Sequence, residues 1–386
     1  MSKKQVTSVY DRIIKRIRKR IKNKIEIPFT IEMWYGSSYS FGEGDSRFKI
    51  IARNKAALVA LSSLDELHIG EAYIGESLDF EGDMLSLITM RGILSDVHPM
   101  MRLWRRLVPF FTSTLKRNRK AIATHYDYDS DFYLSFMDSS RCYSQAVFFS
   151  DNETLEEAQK HKFEFALETC YVKPGDNVLD VGGGWGSFTE FAGEKGINVT
   201  SLTISGQSEH YINNLIEEKK LPCRVINTDF IAYQEDKQYD AIVILGVMEH
   251  LPNYPAVIKK LNQLLKPGGR IYLDASATDR KFDKPIFISR HIFPGGHSFF
   301  CLHEFLSVVA AENFEVISVH NDRKNYMLTC KAWAQNLDKQ REKIISRYGE
   351  YVYRRFKIYL WGSVYGFQSK GLSAYRVVVE KYNDTE

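Results

Sequence analysis

The segment Val178-Leu179-Asp180-Val181 runs straight into Gly182-Gly183-Gly184-Trp185-Gly186, so an apolar run ends in an acid and is followed by four glycines in five positions. That layout is expected where a parallel strand turns tightly into a helix beneath a nucleotide-like ligand. Glycine, having no Cβ, lets the backbone come within contact distance of the ligand. The glycines cluster instead of spreading as they do in a dinucleotide fingerprint, and the acid sits inside the strand end. This spacing favours a single adenosine with an amino-acid tail, S-adenosylmethionine, over a pyrophosphate.

Such a turn works only where a sheet holds it. From about residue 150, helix and strand signals alternate as in a doubly wound α/β sheet. Helical 154–170 precedes strand 177–180, helix 187–195 and strand 198–203. Helix 207–219 leads to strands 223–227 and 240–245, and helix 254–265 ends at Lys266-Pro267-Gly268-Gly269 before strand 270–273. Ligands of such sheets lie at the carboxyl ends of the strands. Segments 314–319 and 375–379 read as two further strands around a long amphipathic helical insertion, with an antiparallel strand finishing the sheet.

At 386 residues the chain exceeds what one core usually supports, which predicts two domains. A hydrophobic content of 44% and an aromatic content of 13% provide for a core and for an apolar cavity. Five cysteines, odd in number and without metal-ligand spacing, predict reduced thiols in the cytoplasm, no disulfide scaffold and no metal site. The net charge of +4 hides an asymmetry, because residues 1–24 hold ten Lys/Arg against Asp11 alone. Val6, Val9, Tyr10, Ile13, Ile14, Ile17 and Ile21 recur between them at three- and four-residue steps, predicting a basic amphipathic helix over 1–26. Two readings of it stand side by side: adsorption to an anionic membrane surface, or a charged helix packed on its own domain.

Residues 27–100, with strand-like 29–34 and 48–51 and helix-like 54–64, predict a small α+β domain associated with lipid. A basic linker follows at 101–120, carrying Arg102, Arg105, Arg106, Lys116, Arg117, Arg119 and Lys120 without an acid, and the catalytic domain takes 121–386. No stretch approaches the roughly 18–20 apolar residues needed to cross a bilayer, and no signal peptide is present. The expected location is therefore cytoplasmic, peripheral on the inner face of the membrane. No nucleic-acid-binding fold accompanies the charge, so nucleic acid is not an expected partner.

Further motifs narrow the chemistry. His125-Tyr126-Asp127-Tyr128-Asp129-Ser130-Asp131-Phe132-Tyr133, Tyr143-Ser144-Gln145-Ala146-Val147-Phe148-Phe149, Leu155-Glu156-Glu157-Ala158-Gln159, Val247-Met248-Glu249-His250 and Ile292-Phe293-Pro294-Gly295-Gly296 stand with the glycine turn. Together they resemble the cyclopropane fatty acid synthase and mycolic acid cyclopropane synthase family. The segment around Gly70-Glu71-Ala72-Tyr73 and Glu81-Gly82-Asp83 is similar to the N-terminal domain of its phospholipid-acting bacterial members. The resemblance implies a class I Rossmann-like methyltransferase that moves the methyl of S-adenosylmethionine onto a double bond of an unsaturated acyl chain in a membrane lipid, forming a cyclopropane. An alkene is a poor nucleophile, so proximity is the main lever, and the resulting cation needs shielding from water and then deprotonation. Tyr126, Tyr133, Tyr143, Phe148 and Trp185 are the candidate aromatic faces for the two cations.

The resemblance also implies residue roles. Gly182, Gly184 and Gly186, together with Asp180, would admit the cofactor, and Tyr143 and Ser144 would bind its amino-acid end. Thr203 opens the ribose-contacting loop, in which Gln207 is displaced by one position and Ser208 stands where the Gln is expected. Asp229 would accept from the adenine amino group, or cap a turn. Glu249 and Tyr326 match the residues around a bound bicarbonate that serves as base. The rest of that pocket departs from the pattern: Gln145 replaces Cys, Asp274 replaces His after the fifth strand, and Ser276 replaces an aliphatic residue. A carboxylate at 274 would repel an anion beside Glu249, so bicarbonate fits poorly. Either Asp274 or Glu249 takes the proton itself, or the cation meets another fate and gives a branched or methylene product. His250 and His297 read as structural. A soluble small-molecule acceptor is the competing substrate class, and a non-enzymatic binding protein is the third reading. The resemblance also admits a homodimer, which no sequence signal marks.

Overall fold

The computed structural model describes residues 3–94, 130–293 and 297–383. The basic stretch 101–120, Tyr126 with the motif around it up to Asp129, and Pro294-Gly295-Gly296 lie outside the described residues. Two compact units form, one from residues 3–94, 285–292 and 341–365, the other from 130–284, 293–340 and 366–383. Segments 285–292 and 341–365, which the sequence assigns to the catalytic domain, thus cluster with the N-terminal residues.

In the first unit, α1 (Lys3–Ile21) is followed by a four-stranded sheet in the order β2-β1-β3-β4, made of β1 (Phe29–Met33), β2 (Ser38–Phe41), β3 (Phe48–Ala52) and β4 (Leu78–Gly82). Strand β1 alternates buried Phe29, Ile31 and Met33 with outward Thr30 and Glu32, the two-residue period of a sheet with one covered face. Phe29 stacks on Phe41 and Phe48 at 4.8 and 5.1 Å between centroids. Helices α2 (Lys55–Ser63), α3 (Glu66–Ile74) and α4 (Met84–Thr89) start at Asn54, Asp65 and Asp83, whose side chains accept from the Ala57, His68 and Leu85 N–H groups. Ile14, Ile17 and Ile21 of the apolar stripe of α1 are buried inside this unit, while Lys15, Arg16, Lys19 and Arg20 face solvent. Of the two readings of this helix, packing on its domain therefore describes these three isoleucines, and the described cationic side chains remain exposed.

The second unit carries the doubly wound sheet, in the order β10-β11-β9-β8-β5-β6-β7. Its strands are β5 (Asn177–Val181), β6 (Asn198–Thr203), β7 (Arg224–Asn227), β8 (Tyr239–Leu245), β9 (Leu265–Ala277), β10 (Phe314–Asn321) and β11 (Ser373–Lys381). Pairings among β7, β6, β5, β8 and β9 are parallel, and β11 runs antiparallel to both β9 and β10. The expected antiparallel strand is thus present, but it lies between two others and leaves β10 at the edge. Strand β5 is buried from Val178 onward, as befits a central parallel strand covered on both faces. The helices α5 (Ser130–Leu134), α6 (Leu155–Thr169), α7 (Ser187–Gly193), α8 (Gly206–Lys219) and α9 (Tyr254–Leu264) alternate with these strands. Helix α6 opens with a capping box between Thr154 and Glu157. Strand β9 is longer than the sequence suggests: Lys266–Gly269 bulges out between the Tyr239–Leu265 pairing and the ladder that resumes at Arg270, and Asp274 lies within the strand instead of after it.

Helix α1 provides a test of this packing. Ile17→Asp places an unpartnered carboxylate in the core and is expected to cost the full chain about 3 kcal/mol or more in urea denaturation, whereas Lys19→Glu on the exposed side stays within about 0.5 kcal/mol.

Candidate active site

Strand β5 delivers Asp180 and the glycine turn to the carboxyl edge of the sheet. Asp180 is buried and its Oδ2 accepts from Thr189 Oγ1 at 3.2 Å and Ser201 Oγ at 3.1 Å. Burial pushes its carboxyl up to about 6, and the two hydroxyls oppose that rise. The turn beyond it is held by Leu202, whose carbonyl accepts from both Gly182 and Gly183 N–H groups at 3.0 and 2.8 Å. Its glycines serve two different ends. A Cβ on Gly182 would lie 2.4 Å from Val247 Cγ2, and the residue has φ +85°, so this position answers to close packing. Gly184, also at positive φ, has nothing nearer than the Gly182 oxygen at 4.0 Å, leaving a backbone surface open to a ligand. Among the glycines named from sequence, Gly186 packs on Leu215 and Ile212.

The remaining cofactor candidates sit along the same edge. Thr203 ends β6 and accepts from the Ser205 N–H at 3.2 Å. Ser205 caps α8 through the Ser208 N–H, which buries Ser208 and leaves Gln207 exposed in the first turn. Asp229 caps the turn after β7, with Oδ1 accepting from Ile231 and Ala232 N–H groups at 2.9 and 3.3 Å. Tyr133, fully buried on α5, meets Tyr143 edge-on at 5.6 Å and lies 6.2 Å from Trp185, and Tyr143 lies 5.0 Å from Trp333. Three of the aromatic candidates therefore form one wall beside the glycine turn, while Phe148 is only half-buried and lies outside this wall.

Behind Tyr143 the chain buries a charged cluster. Lys162 Nζ donates to Ser144 Oγ at 2.8 Å and to Cys142 Sγ at 3.0 Å, and lies 3.7 Å from Asp274 Oδ2. Asp274 Oδ1 accepts the Gly246 N–H at 2.9 Å, and burial raises its carboxyl to about 6 against the pull of Lys162. Gln145 Nε2 donates to Asp322 Oδ2 at 2.9 Å, and Asp322 is paired with Arg376. The sequence did not single out Lys162, Asp322 or Arg376. Lys162 carried a faint signal, a charge on the buried stripe Ala158, Gln159, Phe163 and Ala166 of α6.

Glu249 follows β8 in a short turn of helix and is buried. Its Oε1 accepts from both the N–H and the Oγ of Ser276 at 2.7 Å, while Oε2, equally buried, has no hydrogen-bond partner among the described residues. Burial pushes the carboxyl up to about 7; Ser276 opposes the rise and Asp274 adds to it. Tyr326 stacks on Phe367 at 4.8 Å, and burial and then the Glu249 carboxyl drive its hydroxyl well above the ordinary range. His250 is held neutral, its imidazole pushed down to about 4 by burial and by Lys284. His297 stacks on Phe293 at 4.3 Å and meets His250 at 5.1 Å.

The donor set decides two cofactor questions. An open glycine surface beside an aromatic wall fits an adenosyl sulfonium. An anion such as bicarbonate does not fit. Gln145 commits an amide N–H to Asp322 and keeps its buried Oε1, Ser276 donates to Glu249, and Asp274 is a carboxylate. Carboxylates at 249 and 274 would both repel an anion there.

A family model described as mycolic acid cyclopropane synthetase matches residues 113–377. The chain belongs to this family. A second model, described as a domain of unknown function, matches residues 16–95. Cyclopropane mycolic acid synthase 1 of Mycobacterium tuberculosis is 32% identical over 271 residues, covering 64% of this chain and 92% of its own length. A sphingolipid C9-methyltransferase of Candida albicans is 24% identical, covering 97% of this chain and 76% of its own. A probable fatty acid methyltransferase of Pseudomonas putida is 25% identical over 92% of this chain and 93% of its own. The crystal structure of a mycolic acid cyclopropane synthase complexed with SAH and CTAB is similar with a TM-score of 0.63 at 28% identity, over 68% of this chain and 98% of that one. This member of the family is an S-adenosylmethionine-dependent methyltransferase with the class I α/β fold.

The two kinds of glycine separate experimentally. Gly182→Ala is expected to lower both thermal stability and S-adenosylhomocysteine affinity, the latter at least tenfold by calorimetry. Gly184→Ala should cost about 1 kcal/mol in stability, the strain of a left-handed alanine, yet weaken the ligand at least as much.

Proposed function

We propose that this methyltransferase acts on the double bond of an unsaturated acyl chain in a membrane lipid and closes a cyclopropane ring, with Glu249 as proton acceptor. The observation that carries the reading is the Glu249 carboxyl, clamped on one oxygen by Ser276 and presenting the other, buried and without a hydrogen-bond partner among the described residues, at the ligand edge of the sheet. Bound S-adenosylmethionine supplies an electrophilic methyl on a positively charged sulfur. The alkene's π electrons form the new carbon–carbon bond as the sulfur–methyl bond breaks toward sulfur. The other alkene carbon is then cationic, and loss of a proton from the added methyl to Glu249 Oε2 closes the ring. The packed rings of Tyr133, Tyr143 and Trp185 would shield positive charge beside the glycine turn from water. The neutral S-adenosylhomocysteine and the protonated Glu249 balance the step.

A second outcome for the same cation has its own support. Ser276 fixes the orientation of the base, and the Candida relative that covers nearly the whole chain is named for methylation at one carbon of a sphingolipid. Loss of a proton from the chain carbon, in place of the methyl, leaves a methyl-branched alkene. The acceptor is reached from a membrane surface in either case. The cationic side of α1, with Lys15, Arg16 and Lys19, faces solvent, where anionic headgroups would meet it. No helix among the described residues is long and apolar enough to cross a membrane.

Incubation with labelled S-adenosylmethionine and a monounsaturated phospholipid is expected to add one CH₂ by mass spectrometry, with the ring protons of a cyclopropane by NMR; an olefinic methyl signal assigns the branched product, and no label in lipid overturns the acceptor class. Glu249 must be ionised to accept a proton, so kcat should fall as pH drops through about 7. Glu249→Gln should lower kcat at least a hundredfold with S-adenosylhomocysteine affinity nearly unchanged. Binding to anionic vesicles should be released by salt, and Lys15→Glu with Arg16→Glu and Lys19→Glu should abolish it while the fold persists; unchanged sedimentation would remove the surface from the proposal.

A further inference from the structure

Lys162 is wholly buried, as is its partner Asp274. A charge in that position costs several kcal/mol unless it is paired and fully hydrogen-bonded. Each group does more here than satisfy the other. Lys162 reaches Ser144 Oγ and Cys142 Sγ, on either side of Tyr143. Asp274 takes the Gly246 N–H on one oxygen and faces Ser144 Oγ at 3.4 Å on the other. Gly246 is followed by Val247, which packs on Gly182, and then by Met248 and Glu249. A Cβ on Gly246 would lie 2.9 Å from Ser144 Cβ, so the two segments approach as closely as backbone allows. Gln159, one turn before Lys162 on α6, adds a third tie through the Ser144 carbonyl at 3.0 Å.

We propose that Lys162 and Asp274 form a buried positioning pair that holds the Tyr143-Ser144 wall against the Gly246–Glu249 turn, coupling cofactor binding on one side to the protonation of Glu249 on the other. Neither side chain touches the reacting atoms. Lys162 is the cation of the pair, supplied by α6. The acids around it are Asp274 and, across Gln145, Asp322, the latter already matched by Arg376 from β11. Cys142, Tyr272 and Tyr326 face the same space and are kept in their neutral forms by burial. Asp274 is therefore the charge through which the pair is felt at Glu249. The sequence reading of Asp274 as an alternative proton acceptor gives way, in this proposal, to a group whose two oxygens are already engaged.

The cofactor arm of the test does not depend on the identity of the base; the pH arm rests on the proposed role of Glu249. Lys162→Met strands a buried carboxylate and should weaken S-adenosylhomocysteine at least tenfold by calorimetry. The double variant Lys162→Met with Asp274→Asn strands no charge, keeps an acceptor for Gly246, and should return to within about threefold of the parent. Should Lys162→Met not accumulate, recovery of folded protein in the double variant reads the same coupling. Asp274→Asn alone removes a negative neighbour, so the acid limb of kcat should move to lower pH. A double variant no better than Lys162→Met overturns the pair. An acid limb that stays in place in Asp274→Asn overturns its influence on Glu249, and if Glu249→Gln keeps full turnover, the proposed base fails while the calorimetric result still stands.

Discussion

Keeping ionisable groups away from water is the constraint on which this site is built. Asp180, Glu249, Asp274 and Asp322 are all buried within one unit, and each solves the cost of dehydration differently. Asp180 uses two hydroxyls, Asp322 uses Arg376, and Asp274 uses Lys162 with a backbone N–H. Of these four, Glu249 is the one with a buried oxygen that has no hydrogen-bond partner among the described residues, and burial lifts its proton affinity to about 7. Three acids answer to structure, and the fourth retains a reactive oxygen. The arrangement is what distinguishes a proton acceptor from its neighbours when residue type does not.

The same constraint explains why an anion is not part of this pocket. A bound bicarbonate needs donors around it; where the family pattern has Cys and His this chain has Gln145 and Asp274, and Ser276, in place of an aliphatic residue, turns its hydroxyl to Glu249. The exchange is self-consistent: Ser276 donates to Glu249, and Lys162 compensates the acid at 274. The site has been rebuilt as a unit, not damaged at three points.

Much of this was legible in the chain itself, because the signals were local. The glycine turn, the apolar runs of β5, β6 and β8 and the turn at Pro267 each place an element within a few residues of its position. What escaped had no local signal. Strands β2 and β4 are short and carry polar or charged residues, Ser38, Ser40, Asp79 and Glu81, so their pairing with β1 and β3 decides them. The extension of β9 through Asp274 comes from the ladder with β11, not from its own apolar content. The partnership of Asp322 with Arg376 spans 54 residues and no periodicity announces it. Amphipathic patterning identified α1, yet only the fold shows that its isoleucines are already occupied.

Strand order has a consequence for biosynthesis. The strand formed by Ser373–Lys381 slots between β9 and β10, both of which leave the ribosome earlier. Until it arrives, a nascent chain displays two open strand borders able to template pairing with other chains. Closing that gap joins segments distant in sequence, an intrinsically slow event. A polypeptide halted before residue 373 would hold every group of the glycine turn and the Glu249 loop and still lack the staple that completes their sheet, which makes it a natural client for chaperones.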